Sequence, residues 1–228
     1  MVIAGIDEAG RGAVIGPLVV AGVSIPKENE HKLIKLNLKD SKLLSAKQRE
    51  DFAKKIEKIA KDIIVVKVAA CKIDSYRSEG INLNKLEAMK FADILDYLNP
   101  SMAYIDCPDT VPSRLELFLK TTTKSNSVLC VEHKADMNYP IVSAASIIAK
   151  VTRDAEVEKL KKEHKLDNFG SGYPSDPLTK QWMEDWLKTN KKFPDCVRKS
   201  WMTTEVMMAN KEQSKLGQWL SKFKKQPI

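Results

Sequence analysis

Three short apolar runs in this chain each close on a carboxylate. Val2 to Ile6 leads into Asp7 and Glu8, Met102 to Ile105 into Asp106, and Val128 to Val131 into a stretch that ends at Asp136. Short apolar runs bounded by loops read as buried strands. Longer stretches with three- and four-residue apolar spacing lie among them. Strands alternating with helices predict an α/β architecture, and in α/β sheets sites gather outside strand ends. If the three strands are neighbours, four carboxylates converge.

The other elements can be read in the same way. Leu18 to Ile25 is a second β-rich run, and Gly10, Gly12, Gly16 and Pro17 before it permit a tight reversal, so the first two strands read as a hairpin. Ser45, with Gln48 three positions on, has the capping-box pattern. Phe52, Ile56, Ile59 and Ile63 then recur at helical spacing, which predicts a helix to near Asp62 and a strand from Ile63 to Ala70. Helices are expected over Asn82–Leu98, ended by Pro100, and over Ser113–Thr121. Ile141 to Glu163 reads as a long helix. Its first half is apolar nearly all round and so centrally buried, and its second half is charged and solvated. A loop from Gly170 to Pro177 leads into a helix that runs to about Thr189.

With 228 residues, 43% hydrophobic and 30% charged, the chain is of ordinary globular composition and long enough to hold a core without disulfide or metal. Cysteines at 71, 107, 130 and 196 make no Cys-x-x-Cys pair and do not cluster with His31, His133 or His164. Structural zinc is therefore a poor reading and reduced thiols in a cytoplasm a simple one. A metal here would be a hard cation held by oxygen. The charge-free run from Gly12 to Pro26 is too short to span a bilayer, and acids at positions 7 and 8 do not suit a signal peptide. The net charge of +8 favours a polyanionic partner.

Converged carboxylates repel, and burial raises their pKa values. A divalent cation resolves the conflict, and two such ions can activate a water and stabilise a leaving oxygen in phosphodiester cleavage. A basic chain with an acidic metal pocket thus suggests a nuclease. Taken singly, Asp106 can equally be a helix cap or turn former, and Asp136 the dipole partner of the helix that follows. Asp7 and Glu8, adjacent acids beside a buried strand, carry a desolvation cost that something must offset.

The run Gly5-Ile6-Asp7-Glu8-Ala9-Gly10-Arg11-Gly12 resembles ribonuclease HII, the type 2 ribonuclease H family. The same family pattern is met by Asp40-Ser41-Lys42, Tyr104-Ile105-Asp106 and His133-Lys134-Ala135-Asp136. It continues through Val142 to Asp154 and Gly170-Ser171-Gly172-Tyr173-Pro174-Ser175-Asp176-Pro177. The matches run in order across roughly residues 2–200. Ala13 stands where the family commonly has proline, and Leu43 where a second lysine is common.

The resemblance implies a ribonuclease H-like mixed sheet flanked by helices. It divides the chain into a catalytic domain, residues 1–200, and a helical C-terminal extension, residues 201–228. It implies an endoribonuclease that hydrolyses RNA in RNA–DNA hybrids and cuts 5′ to ribonucleotides embedded in duplex DNA, leaving 3′-hydroxyl and 5′-phosphate ends. Asp7, Glu8, Asp106 and Asp136 are then the catalytic, metal-binding carboxylates for two Mg2+ or Mn2+ ions, with Asp7 bridging them. Gly10, Arg11 and Gly12 are the readers of the 2′-hydroxyl that separates RNA from DNA. Tyr173 is the aromatic that stacks on the following deoxyribose, or else a core tyrosine. Lys42, Lys134 and Lys150 are candidate phosphate contacts, or else solvated lysines.

In the tail, Gln213, Leu216, Trp219 and Leu220 resemble the motif by which replication proteins bind sliding clamps of the proliferating cell nuclear antigen type. A helical turn there would gather the apolar side chains into one plug, or pack them on the chain's own domain. A clamp partner of that type hints at an archaeal source. A monomer in the cytoplasm, acting in replication and ribonucleotide repair, is the expected setting. Two rivals remain at this level: a resolvase-like DNA nuclease of the same superfold, which needs no 2′-hydroxyl reader, and a non-catalytic, clamp-tethered hybrid-binding protein, which gains nothing from four acids facing phosphates.

Overall fold

In a computed structural model, which describes residues 1–38, 44–163 and 168–223 with side chains through residue 213, the glycine-rich segment does reverse the chain. Strand β1 (Val2–Ala9) pairs antiparallel with β2 (Leu18–Pro26), and β2 with β3 (Asp62–Val68). On its other side β1 pairs parallel with β4 (Met102–Asp106), which pairs parallel with β5 (Val128–Glu132). The mixed sheet has the order β3-β2-β1-β4-β5. The three acid-tipped strands are therefore adjacent, parallel and at the centre and one edge of the sheet.

Alternation along the strands sorts the core into two layers. Ile3, Val19, Ala21, Val23 and Ile25 face one way, against α7 (Pro140–Glu163), with α1 (Glu30–Lys35) and α2 (Ala46–Ile59) beyond. Ala4, Ile6, Leu18, Val20, Ala103 and Ile105 face the other way, against α4 (Leu83–Leu98), with α3 (Ala70–Ser78) and α5 (Pro112–Thr122) beside it. The first half of α7 is buried without interruption from Ile141 to Ala149, as its composition predicts. Gly5 sets its approach, since a Cβ there would stand 2.3 Å from the Ile141 carbonyl oxygen.

Elsewhere the elements differ in detail. The capping box at Ser45 and Gln48 is made on both sides, but the helix stops at Ile59, short of Asp62, and the strand expected from Ile63 begins one residue earlier, at Asp62. Ala70, placed in a strand from periodicity, opens α3. That helix and α1 are short and carry no extended apolar stripe. The second half of α7 is not wholly solvated: Arg153 and Val157 are buried on the face that continues from Ala149.

A third apolar cluster joins Val14, Ile15 and Val157 to Phe169, to Trp182 and Met183 of α8 (Pro177–Thr189), and to Phe193, Cys196 and Val197. Met207 and Met208 of α9 (Met202–Phe223) pack on it. The short helix α6 (Ala135–Asn138) lies between β5 and α7. Among the described residues all four cysteines are free thiols, and no helix is long and apolar enough to cross a membrane.

Candidate active site

Asp7 and Asp106 follow Ile6 and Ile105, which are paired residues of neighbouring parallel strands. Parallel strands lie about 4.8 Å apart, so the two acids leave the sheet side by side on the α7 face. Asp7 is buried. It accepts a hydrogen bond from the Glu8 amide at 2.7 Å, and Ser146 and Lys150 approach it from α7. Lys150 in turn donates to the Ser146 hydroxyl. Burial pushes the Asp7 carboxyl up to about 7. The Lys150 charge opposes that rise and the Asp106 charge adds to it. Glu8 is raised well above its ordinary value, first by burial, then by the charges of Asp7 and Asp106, with Arg11 pulling the other way.

Asp106 Oδ1 accepts from the Ala135 amide at 2.7 Å. That bond pins the β5–α6 turn to the end of β4 and brings the next residue, half-buried Asp136, to the same end of the sheet. Lys134 takes a left-handed backbone (φ 57°) at the turn, and the His133 ring makes a 3.3 Å contact to the Cys107 carbonyl. His133 thus ties the turn after β5 to the end of β4 while staying exposed. The strand ends are together, yet among the described residues no three His, Cys, Asp or Glu side chains form a group ready to hold a metal ion. Of the four expected carboxylates, Asp7, Glu8 and Asp106 act on one another through their charges, and Asp136 follows the Ala135 amide that binds Asp106. Glu8 Oε2 is buried with no hydrogen-bond partner among the described residues. An oxygen left in that state, beside two further acids, fits a hard divalent cation.

The Gly10-Arg11-Gly12 segment caps this end. Arg11 Nη2 donates to Asn84 Oδ1 at 2.6 Å, and its guanidinium pairs with Glu87. Gly12 is exposed, and an added Cβ there would meet nothing within 4 Å. No neighbour in the fold requires a glycine at this position, and the backbone there is open to close approach from outside. Tyr173 is half-buried and its ring lies 4.8 Å from the Arg153 guanidinium carbon, so it is neither a core tyrosine nor a free one. Arg153 also donates to the Ser171 carbonyl. Lys134 is exposed and Lys150 stands at Asp7. Lys42 falls outside the described residues. Gln213 is exposed on α9, whereas the side chains of Leu216, Trp219 and Leu220 fall outside those described.

Sequence reasoning assigned no role to Glu87, Arg153 or Arg198. Two of them had a signal. Glu87 sits on the apolar stripe of α4 between Leu83 and Phe91, and Arg153 on the α7 stripe between Ala149 and Val157. A lone charge on a buried face needs a partner. Arg198 lies in irregular backbone with no periodicity to betray it. It is fully buried, and burial, with Arg153 nearby, pulls its guanidinium down to about 9.

The mixed sheet with acids on its parallel strand ends and a glycine-rich cap defines a ribonuclease H-like nuclease. The chain belongs to the ribonuclease HII family, whose model, Ribonuclease HII, matches residues 4–204. The Ribonuclease HII of Pyrococcus furiosus is 43% identical over 229 residues, covering 100% of both chains. The crystal structure of the ribonuclease H2 from Pyrococcus horikoshii OT3 aligns with TM-score 0.86 and 43% identity over 93% of this chain and 99% of that one. The RNase HII in a PCNA complex from Archaeoglobus fulgidus aligns with TM-score 0.81 and 44% identity, over 88% and 95%. The chain is a ribonuclease H, a hydrolase of RNA in RNA–DNA hybrids.

Proposed function

We propose that this ribonuclease H also incises duplex DNA on the 5′ side of a single embedded ribonucleotide, using two divalent cations held by Asp7, Glu8, Asp106 and Asp136. The observation that carries this is the buried, unpartnered Glu8 Oε2 beside Asp7 and Asp106. Three mutually repelling acids at buried strand ends are costly unless a cation joins them. Mg2+ or Mn2+, when bound, supplies the positive charge that lowers the pKa of an attacking water and steadies the 3′ leaving oxygen.

The chain's own residues then divide the remaining work. Asp7, next to both Glu8 and Asp106, would help to hold the cations. Asp136, on the turn pinned by Asp106, would complete the oxygen ligands near the attacking water. Lys150 offsets negative charge at Asp7, and Lys134 at the exposed turn meets phosphate. Gly10, Arg11 and Gly12 sense the ribose 2′-hydroxyl. The Tyr173 ring stacks on the adjoining sugar. Residues 1–200 form the catalytic unit. The extension from 201 carries Gln213, Leu216, Trp219 and Leu220 toward a sliding clamp, a reading supported by the PCNA complex of the Archaeoglobus relative.

Cleavage of an end-labelled duplex with one ribonucleotide in Mg2+ tests the incision. One cut on the 5′ side of the ribose, with a 3′-hydroxyl product, is expected, and equal cutting of an all-DNA duplex overturns it. For the tail, binding to a clamp is measured with and without Leu216→Ala/Trp219→Ala; unchanged affinity removes the clamp from the picture.

A further inference from the structure

One buried side chain grips the Gly10–Gly12 loop from inside the protein. Arg198 donates from Nη2 to the Gly10 carbonyl at 2.6 Å, from Nη1 to the Arg11 carbonyl at 2.8 Å and from Nε to the Gly16 carbonyl at 3.3 Å. Its own backbone is held as firmly. The Arg198 amide donates to the Val14 carbonyl at 2.9 Å, and Val197 bridges Ile15. Trp201 lies 4.7 Å from the guanidinium. On the next turn of chain, Asp74 of α3 accepts from the Lys199 and Ser200 amides at 2.8 and 3.0 Å.

In a trans peptide the carbonyl and the N–H point in opposite directions. The peptides joining Gly10 to Arg11 and Arg11 to Gly12 turn their carbonyls inward to Arg198. Their N–H groups, those of Arg11 and Gly12, therefore point outward, to the side where Gly12 is exposed. Neither amide donates to an acceptor among the described residues. The Ala13 amide closes the turn onto the same Gly10 carbonyl at 3.2 Å. The three bonds leave from three different nitrogens of one rigid plane, a spread that an ammonium, with its three donors on a single nitrogen, does not reproduce.

We infer that Arg198 is a positioning residue for ribose recognition: by drawing two carbonyls of the loop inward it presents the Arg11 and Gly12 amides as a fixed pair of donors to the 2′-oxygen of the substrate. The inference rests on the reading of this loop as the ribose sensor. A buried cation used only for packing would be replaceable by an apolar side chain of similar volume; its directed contacts to three carbonyls give it a geometric task.

The test is binding of the full-length chain, in an Asp7→Asn background so that substrate is not consumed, to two duplexes: all-DNA, and the same sequence with one ribonucleotide. Arg198→Lys is expected to lower the preference for the ribose-containing duplex about tenfold, the worth of one or two hydrogen bonds. Affinity for the all-DNA duplex should stay within about threefold. An unchanged preference, or an equal loss on both duplexes, overturns the inference. If Arg198→Lys does not fold, Arg198→Gln takes its place with the same two outcomes. Gly12→Ala separates the premise from the inference. Ribose preference intact in Gly12→Ala removes the sensing loop itself. Preference lost in Gly12→Ala but kept in the Arg198 variant removes Arg198 alone.

Discussion

Arg11 reaches from the Gly10–Gly12 loop to Glu87, a carboxylate with no exposed surface in α4. The two ends of this pair are unequal, for the Arg11 side chain is 34% exposed and that of Glu87 0%. Removing Arg11 strands a buried charge, whereas removing Glu87 leaves a cation that can turn to water and still hold Asn84. Arg11→Gln is therefore expected to cost about 3 kcal/mol and Glu87→Gln about 1 kcal/mol. The double variant should recover much of the larger loss. Urea denaturation of the three variants measures this, and a larger loss in Glu87→Gln than in Arg11→Gln would contradict it.

Asp7→Asn should abolish cleavage, by ~10^3-fold or more, without unfolding the chain. An amide has no charge to desolvate and no repulsion toward Asp106, the two effects that burden Asp7. Thermal melts in chelator should place the variant at or above the parent. A sharp loss of melting temperature would mean that the acid has a structural partner that matters more than its chemistry.

The Arg153–Tyr173 contact at 4.8 Å holds the ring that is proposed to stack on the substrate sugar. Arg153→Met removes a cation–π contact of about 1 kcal/mol and the tie to the Ser171 carbonyl. The expectation is a severalfold rise in KM for the ribose-containing duplex with a smaller change in kcat. Steady-state kinetics that found the reverse pattern would assign Arg153 to the chemical step instead.

Asp176 caps α8 and holds its preceding loop. Oδ1 accepts from the Leu178 amide at 2.9 Å, and Oδ2 from the Ser171 amide and hydroxyl at 2.7 and 2.6 Å. The hydrogen bonds from Ser171 lower its carboxyl below the ordinary range. A carboxylate depressed in the folded state stabilises fully above its unfolded pKa and loses that contribution as pH falls through the folded value. Asp176→Ala should thus cost about 1 kcal/mol at neutral pH, and the difference from the parent should vanish in strong acid. A pH series of denaturation curves in which the gap widened on acidification would reverse the sign.

Gly5→Ala should be among the most damaging small substitutions in the chain. The new methyl would fall 2.3 Å from the Ile141 carbonyl oxygen, against backbone that cannot yield without moving α7. A loss of about 3 kcal/mol, or failure to accumulate as soluble protein, is expected. A variant that melts like the parent would show that α7 can retreat from the sheet.

Most of the sheet and the long helices were legible because their signals are local. Short apolar runs, three- and four-residue spacings and the Ser45–Gln48 box are each complete within a few residues. Asp7 and Glu8 stood out as a candidate site for the same reason: adjacent acids at the end of a buried strand conflict with their neighbours in sequence. The boundary errors at Ile59 and Ala70 fall where two local signals overlap, and tertiary packing decides between them.

Local pattern alone thus determined the strands, the longer helices and the acids that stand at the strand ends. The sheet order that sets Asp7 beside Asp106, and the clamp of Arg198 on Gly10, 188 positions away in the chain, were decided only in three dimensions. Such contacts follow from which apolar faces can be buried together, a property of the whole packed core that no window of sequence contains.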